Sequence, residues 1–298
     1  MNEVSTEKSM NDLLGQATDI SGIGVESKGA VEKAAFDLYR ETAIVAVASS
    51  HLFESHNPDN GALPRNQAIG AGLIVRIAKF MSAVLALLCD KVQEHGEAVM
   101  ALNRCITESA INLKFFCEKA VPQDFDDFIK SSLRPEKESY IDIQKNISER
   151  RETLPIETRM LNSINRVFRI SGITGIGELD QIPKRKNYKN ILSSLGMGSL
   201  YPMFQGIPSH SVHGTWVDLV LHHLDEIPGG FKPRPDSVTA DARLLCPISD
   251  IVLMAIRSYV GKYFRKENEG ILALLARIDN LIVRNKKVDS IHEEQVAK

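Results

Sequence analysis

The sequence predicts an all-α protein, a multi-helix bundle in which long antiparallel helices are joined by loop insertions. Apolar residues recur at intervals of three and four in several long segments, which is the spacing of one helix face. No segment alternates apolar and polar residues convincingly enough to predict a strand, and no internal repeat emerges. Proline and glycine cluster between the periodic segments, where they indicate loops.

The composition is that of an ordinary globular protein, with 298 residues of which 43% are hydrophobic and 25% charged. A net charge of -2 argues against a general nucleic-acid surface. The N-terminus lacks the basic and apolar regions of a secretory signal, so we expect a cytoplasmic protein. Four cysteines form no CxxC pair and are expected to be reduced core residues: Cys89, Cys105, Cys117 and Cys246.

The most apolar run extends from Phe80 to Cys89 and is about ten residues long. A membrane-spanning helix needs about 20 apolar residues. Charged residues flank the run, with Lys79 before it and Asp90 after it. We therefore expect a buried core helix and no membrane association.

Changes in composition divide the chain into three parts. Residues 1–27 are polar with scattered small residues and predict a flexible N-terminal arm. Residues 28–284 form the predicted helical domain. Residues 285–298 form a charged C-terminal tail that we expect to fray.

Turn residues separate the first three long helices. The first covers Gly29 to His56 and ends at an Asn-Pro-Asp-Asn-Gly turn. The second runs from Pro64, which suits a first helical turn, to about Glu94. Gly96 separates it from a third helix over Glu97 to Lys119, so the two should form an antiparallel hairpin. Two glycines early in the second helix would permit close helix crossing: Gly70 and Gly72.

Proline and glycine also divide the second half of the chain. Pro135 separates a short helix from a longer one, and Pro155 opens another helix that ends at Arg169. A Pro/Gly loop is predicted over Asp225 to Pro235. Further helices are predicted over residues 188–195, 209–224, 236–264 and 271–283.

A glycine-rich stretch from Gly172 to Gly177 superficially resembles a phosphate-binding loop. No strand precedes it and no Gly-Lys-Ser/Thr follows it, so we interpret it as an ordinary loop. A small basic cluster follows, formed by Lys184, Arg185, Lys186 and Lys189. We interpret this cluster as solubilising charge, with a contact to RNA or phosphate as the alternative.

The rest of the chain is expected to pack around the helix over Glu97 to Lys119. Arg104, Glu108 and Asn112 fall on one side of it, four residues apart, and we expect them to be buried. Arg104 and Glu108 can pair directly at this spacing. Four other polar residues fall on the opposite side, which we expect in solvent: Asn103, Thr107, Lys114 and Glu118.

The helix predicted over residues 209–224 also carries polar groups on its apolar face. Ser209 and His213 share that face with Trp216, so we expect all three to be buried. This face could meet the central helix, with His213 bonded to Glu108. We interpret the resulting network as structural, fixing helix register, and keep a catalytic or ligand pocket as the alternative.

No metal or other cofactor is expected at this network. His210, His213 and His222 do not converge on one helix face, and a metal ion needs its ligands together. No Glu-x-x-His pair of the kind found in di-iron bundles is present.

Several motifs occur in an order that resembles an uncharacterised bacterial all-helical family, domain of unknown function 5677. The first is Arg104-xxx-Glu108-xxx-Asn112 followed by an aromatic residue. The second half adds Ser209-xxx-His213-Gly-Thr-Trp, and Tyr201 precedes it as a further network residue. The resemblance covers about residues 36–264 and implies an all-helical fold with these polar residues marked, but it implies no reaction.

Two functions follow from this reading. The first is an interaction or accessory module, in stress or phage defence, that binds a protein partner or a second copy of itself. The alternative is a hydrolase that acts on RNA or another phosphate ester. His213 would then be the general acid/base, Glu108 would orient it, and Arg104 would stabilise negative charge.

Overall fold

The computed structural model describes residues 10, 12–26, 28–52, 62–89, 95–184, 186–235, 244–264 and 268–297. These residues form eleven α-helices and one short β-hairpin, which confirms the predicted all-α multi-helix fold. The helices are α1 Lys28–Ser50, α2 Arg65–Cys89, α3 Gly96–Glu118, α4 Pro122–Ser132, α5 Arg134–Arg150, α6 Pro155–Ile170, α7 Tyr188–Ser194, α8 Ile207–His213, α9 Trp216–Asp218, α10 Leu245–Tyr263 and α11 Glu269–Val296. The strands are β1 Leu224–Ile227 and β2 Gly230–Pro233.

Contacts divide the chain into two compact units. The first unit comprises residues 1–119 and 188–298, and it holds α1 to α3, α7 to α11 and the hairpin. The second unit comprises residues 120–187 and holds α4 to α6. The helical domain predicted over residues 28–284 therefore contains two units, and its outer boundaries stay predictions.

The predicted hairpin of α2 and α3 forms the centre of the first unit. Arg76 Nε of α2 donates to Ser109 Oγ of α3 over 3.2 Å. Gly70 near the start of α2 lies beside Leu113 near the end of α3, so the two helices are antiparallel. Helix α3 also packs against α8 and α10, which makes it the central helix of this unit.

Gly70 allows α10 to approach α2 closely. A Cβ atom at this position would clash with the ring of Tyr259, whose hydroxyl donates to Gln67 O over 3.3 Å. At Gly72 an added Cβ would meet nothing within 4 Å. Of the two glycines predicted to permit close crossing, Gly70 does so and Gly72 does not.

Helix α2 is long and apolar enough to cross a membrane, with a mean hydropathy of 2.0 over 18 residues. It is the one helix in the described part of the chain that meets this test. One face of α2 is buried at positions that include Ile74, Ile77, Met81 and Val84, but only 28% of its most apolar window is buried. Helix α2 is therefore a partly buried helix, and the lack of membrane association stays a prediction.

The described part of the predicted N-terminal arm is docked along α11. Arg284 Nη1 donates to Thr18 O over 2.9 Å, and Gln295 Nε2 donates to Val25 O over 2.6 Å. Leu14 of this arm is buried. Side chains of α11 thus hold the arm by its backbone carbonyl groups.

Glu41 of α1 is a buried carboxylate that pairs with two arginines of α11. Its Oε1 lies 2.6 Å from Arg284 Nη2 and 2.6 Å from Arg277 Nε. The Thr18 N–H donates to Glu41 Oε2 over 3.0 Å. Burial alone would raise the pKa of Glu41, but the bonds from Arg284 and Thr18 hold it below its ordinary value.

Helix α11 continues to Val296, so the predicted helix end at Val283 is wrong. Residues beyond that point keep facing the core at helical spacing, and they include Asn285, Val288 and His292. The sequence suggested a fraying tail because the residues after Arg284 are rich in charge. Their burial extends the packed face of α11 by about two and a half turns beyond Val283.

A β-hairpin occupies the segment predicted as a Pro/Gly loop, so that prediction is wrong. β1 and β2 pair antiparallel, with Glu226 opposite Phe231. The turn between them has Pro228 followed by Gly229 at φ 89°, which is the pattern of a type II turn. Each strand has four residues, too few for alternation to be recognised in the sequence.

Two helices of the second unit begin at the prolines that divide this part of the sequence. Pro135 and Pro155 both lie in the first turn of a helix, as predicted. The apolar core of this unit consists of Leu133, Ile143, Ile164, Phe168, Ile173 and Leu179.

The four cysteines are free thiols, but they do not all lie in the core. Cys246 is buried, Cys105 and Cys117 are partly buried, and Cys89 is exposed at the last position of α2. The prediction of a core residue is therefore wrong for Cys89. Burial raises the pKa of the Cys117 thiol to about 12, which makes it a poor nucleophile.

Candidate functional site

Helix α3 buries polar residues on the side that the sequence assigned to solvent. Asn103 and Thr107 are both buried, so the predicted solvent face is wrong at these positions. Tyr39 of α1 donates its hydroxyl to Asn103 Oδ1 over 3.1 Å. Thr107 Oγ1 donates to the carbonyl of Arg104 over 3.0 Å. Small polar side chains can be buried when a nearby group completes their hydrogen bonds, and periodicity alone does not reveal that partner.

Arg104 and Glu108 form the predicted pair. Arg104 Nε lies 3.1 Å from Glu108 Oε1, and the two side chains are 18% and 29% exposed. The pairing is therefore confirmed, whereas the expected deep burial is not. Water reaches part of both groups.

Asn112 is buried, as predicted, and its side chain bonds to helix α7. Its Nδ2 donates to the hydroxyl of Tyr188, the first residue of α7, over 2.8 Å. Tyr188 is not among the network residues predicted from the sequence. A partner 76 residues away leaves no local pattern in the sequence.

A break at Gly214 changes which residues of the 209–224 segment face the protein. Gly214 has φ 55°, and its N–H bonds to the carbonyl of His210, so α8 ends at His213. His213 and Trp216 are exposed, whereas Asp218 is buried. The predicted burial of His213 and Trp216 is wrong because the periodicity assumed one continuous helix.

The predicted bond between His213 and Glu108 is not among the hydrogen bonds and ion pairs of the described residues. Helix α8 instead meets α3 where Ser211 Oγ donates to Met100 Sδ over 3.3 Å. Ser209 and Tyr201 are both partly buried. The structure thus brings together Arg104 and Glu108, and their roles in a site stay predictions.

A small cavity lies against Arg104. Its volume is about 10 Å³, and its lining includes Asn103, Phe204 and Pro208. Arg104 Nη1 and Asn103 Nδ2 are buried without a hydrogen-bond partner in the described part of the chain. A cavity of this size has room for about one water molecule.

A second polar cluster joins the start of α3 to the segment after α9. His223 Nε2 lies 3.2 Å from Glu97 Oε2 and 3.6 Å from Asp218 Oδ2. Asp218 is buried, and its Oδ1 has no hydrogen-bond partner among the described residues. The sequence did not predict that this histidine pairs with two carboxylates, because the three residues come together only through the fold.

Two exposed aromatic side chains lie side by side near this cluster in the chain. Trp216 of α9 and Phe231 of β2 are 58% and 49% exposed. Their ring centroids are 5.3 Å apart, in an edge-to-face arrangement. We call this pair the aromatic ridge.

Metal binding has no support from side-chain geometry. Over the residues that the structure describes, no group of three His, Cys, Asp or Glu side chains is arranged to hold a metal ion. The expectation of no metal and no other cofactor stays a prediction.

Comparison with known proteins gives one match. The model of a protein family described as "Family of unknown function (DUF5677)" matches residues 67–231, which extend from α2 to β2. This confirms the predicted family resemblance over a shorter range than residues 36–264. No curated protein and no solved structure matches the chain.

Proposed function

The chain belongs to the family of unknown function DUF5677, and we propose that it is a helical interaction module that binds a partner protein through the aromatic ridge. The observation that carries this proposal is the exposure of Trp216 and Phe231. Large aromatic side chains are enriched at protein interfaces, where they supply most of the binding energy. An exposed, mutually packed pair is a natural anchor for a partner.

Three polar residues of α3 support an architectural role for the buried polar groups of this helix, and of these Asn112 belongs to the network expected from the sequence. Each of them connects α3 to a different helix. Asn103 bonds to α1, Ser109 to α2 and Asn112 to α7. Bonds to three neighbours fix the rotation and register of the central helix.

The cellular setting is part of the same proposal. We place the module in the bacterial cytoplasm, which the four free cysteines support, because reducing compartments keep thiols unpaired. We place its task in stress or phage defence, with a protein or a second copy of the chain as partner.

A hydrolase acting on RNA or another phosphate ester is the second candidate function. His213 is exposed, as an accessible catalytic residue requires, but no hydrogen bond or ion pair joins it to a carboxylate among the described residues. His223 is better placed, because the carboxylates of Glu97 and Asp218 both lie within 3.6 Å of its Nε2. A carboxylate that orients a histidine is typical of general-base pairs.

Photo-crosslinking at the ridge tests the interaction proposal. A benzophenone amino acid is placed at Phe231 or, as a matched control, at Leu272 of α11; both side chains are 49% exposed. After irradiation in native cells, we expect one stoichiometric protein adduct at position 231, which the additional substitution Trp216→Ser abolishes.

Two results would contradict the proposal. One is the same set of adducts at positions 231 and 272. The other is RNA cleavage by the purified protein that is lost in His213→Gln or His223→Gln while the fold is kept, which would favour the hydrolase.

A further inference from the structure

An open cavity in the second unit has the size of a small-molecule site. Its volume is about 420 Å³, which falls in the range of pockets that hold metabolite-sized ligands. It lies between helix α5, the end of helix α6 and the loop that follows α6. The proposed interaction module does not use it.

The floor of the cavity is aromatic. Phe168 and Ile173 are buried there, and Tyr140 of α5 stands beside Phe168 with the ring centroids 6.2 Å apart. Flat apolar surfaces of this kind favour a flat ring in the ligand.

Arg169 supplies an unused positive charge at the rim. It lines the cavity and is exposed, and no hydrogen bond or ion pair of its side chain is found among the described residues. Asn165 lies one helical turn before it and lines the same cavity. A guanidinium with all its N–H groups available matches the two oxygens of a carboxylate or phosphate.

The glycine-rich loop cannot be the anion site. The backbone N–H groups of this loop already donate to the carboxylate of Glu178. Glu178 Oε1 accepts from the Thr174 N–H over 2.9 Å and from the Gly175 N–H over 3.3 Å. The hydrogen bonds from Thr174 lower the pKa of Glu178, so the carboxylate stays ionised. A negative charge in the loop repels a second anion and directs the anionic end of a ligand toward Arg169.

We infer that this cavity binds a flat aromatic ring that carries an anionic group. The ring lies on Tyr140 and Phe168, and the anion pairs with Arg169 and Asn165. Two kinds of compound share this chemistry, a nucleoside monophosphate and an aromatic carboxylate. The inference is independent of the aromatic ridge, which lies in the first unit.

Calorimetric titration of the full chain with four probes tests the inference. Adenosine 5′-monophosphate and 2-naphthoate each combine a ring with an anion, adenosine supplies the ring alone, and inorganic phosphate supplies the anion alone. We expect saturable binding of at least one of the first two. The ring-only and anion-only probes should bind about tenfold more weakly or worse. Whichever ring-bearing anion binds identifies the source.

Paired arginine variants complete the test. Arg169→Gln should weaken binding about tenfold or more. Arg166→Gln changes an exposed arginine of the same helix that does not line the cavity, and it should change binding less than about twofold. No saturable binding of either ring-bearing anion, equal binding of adenosine or phosphate, or equal loss in both variants would overturn the inference.

Discussion

Contact between Gly70 and Tyr259 sets how closely α10 can approach α2. Replacing Gly70 by alanine forces a Cβ atom into the Tyr259 ring, so we expect Gly70→Ala to destabilise the fold by about 1–3 kcal/mol. Gly72→Ala is the matched control in the same helix. Because its site is open, it should stabilise the fold by about 0.5–1 kcal/mol through helix propensity. Denaturant midpoints measure both, and a stabilised Gly70→Ala would refute this packing.

Asp250 of α10 makes stability depend on pH. Burial raises its pKa to about 7; Lys286 offsets part of this rise and Asp289 adds to it. A carboxyl whose pKa is raised on folding makes its full contribution to the stability of the folded state below its unfolded-state pKa of about 4. This contribution is lost as the pH rises through the folded-state pKa of about 7.

Asp250→Asn removes this dependence. The free energy of unfolding of the variant minus that of wild type should be larger at pH 8 than at pH 5. The difference between the two pH values should be on the order of 2 kcal/mol. Denaturant midpoints at the two pH values measure it. Asp142→Asn, at an exposed position of the second unit, should follow wild type. An unchanged pH profile in Asp250→Asn would contradict the assignment.

Among the elements, the docked arm and α11 depend on one carboxylate. Glu41→Ala leaves the buried Arg284 and the partly buried Arg277 without their anion, so we expect a loss of about 3–5 kcal/mol. Glu108→Ala should cost only about 1 kcal/mol, because the pair with Arg104 is partly in water. Urea unfolding measures the free energy of unfolding of both variants. Equal losses of stability would mean that Glu41 and its two arginines are not buried in solution.

Protonation of Glu41 should have the same effect as its replacement. Its folded-state pKa is held below the ordinary value, so its contribution is present above that ordinary value and is lost as pH falls through the folded-state pKa. Glu41→Gln should therefore lose less stability on acidification than wild type does.

Helix positions followed from local signals, whereas helix rotation did not. Proline and glycine placed the starts of α2, α5 and α6 and the connection before α3, because their backbone limits act within a few residues. The buried side of α3 depends on Tyr39, which is 64 residues from its partner Asn103. Periodicity cannot distinguish a solvated amide from one bonded to a distant hydroxyl.

A single glycine accounts for the errors in the predicted helix over residues 209–224. Gly214 could be read as one poor helix residue, but in its left-handed conformation it ends α8. Every residue after it then faces a new direction, which exposes Trp216 and buries Asp218. The Arg104–Glu108 pair was predictable because both partners lie on one helix, four residues apart.

At the scale of the whole molecule, the two units carry different surfaces. The first unit has a central helix held by polar bonds and an exposed aromatic ridge. The second has a cavity with an aromatic floor and, at its rim, Arg169, which has no ion pair within the described part of the chain. The central claim is that the buried polar groups are architecture and that the ridge is the working surface.

Comparison of Trp216→Ser with His213→Gln in the native host tests this claim most directly. For each variant, the native mass of the chain in cell extract and survival under phage challenge are measured, with thermal melting as the folding control. We expect Trp216→Ser to shift the chain to its free mass of 33.1 kDa and to abolish protection, while His213→Gln keeps the complex and the phenotype. A folded His213→Gln that loses protection, together with a Trp216→Ser that keeps both the complex and protection, would contradict the account.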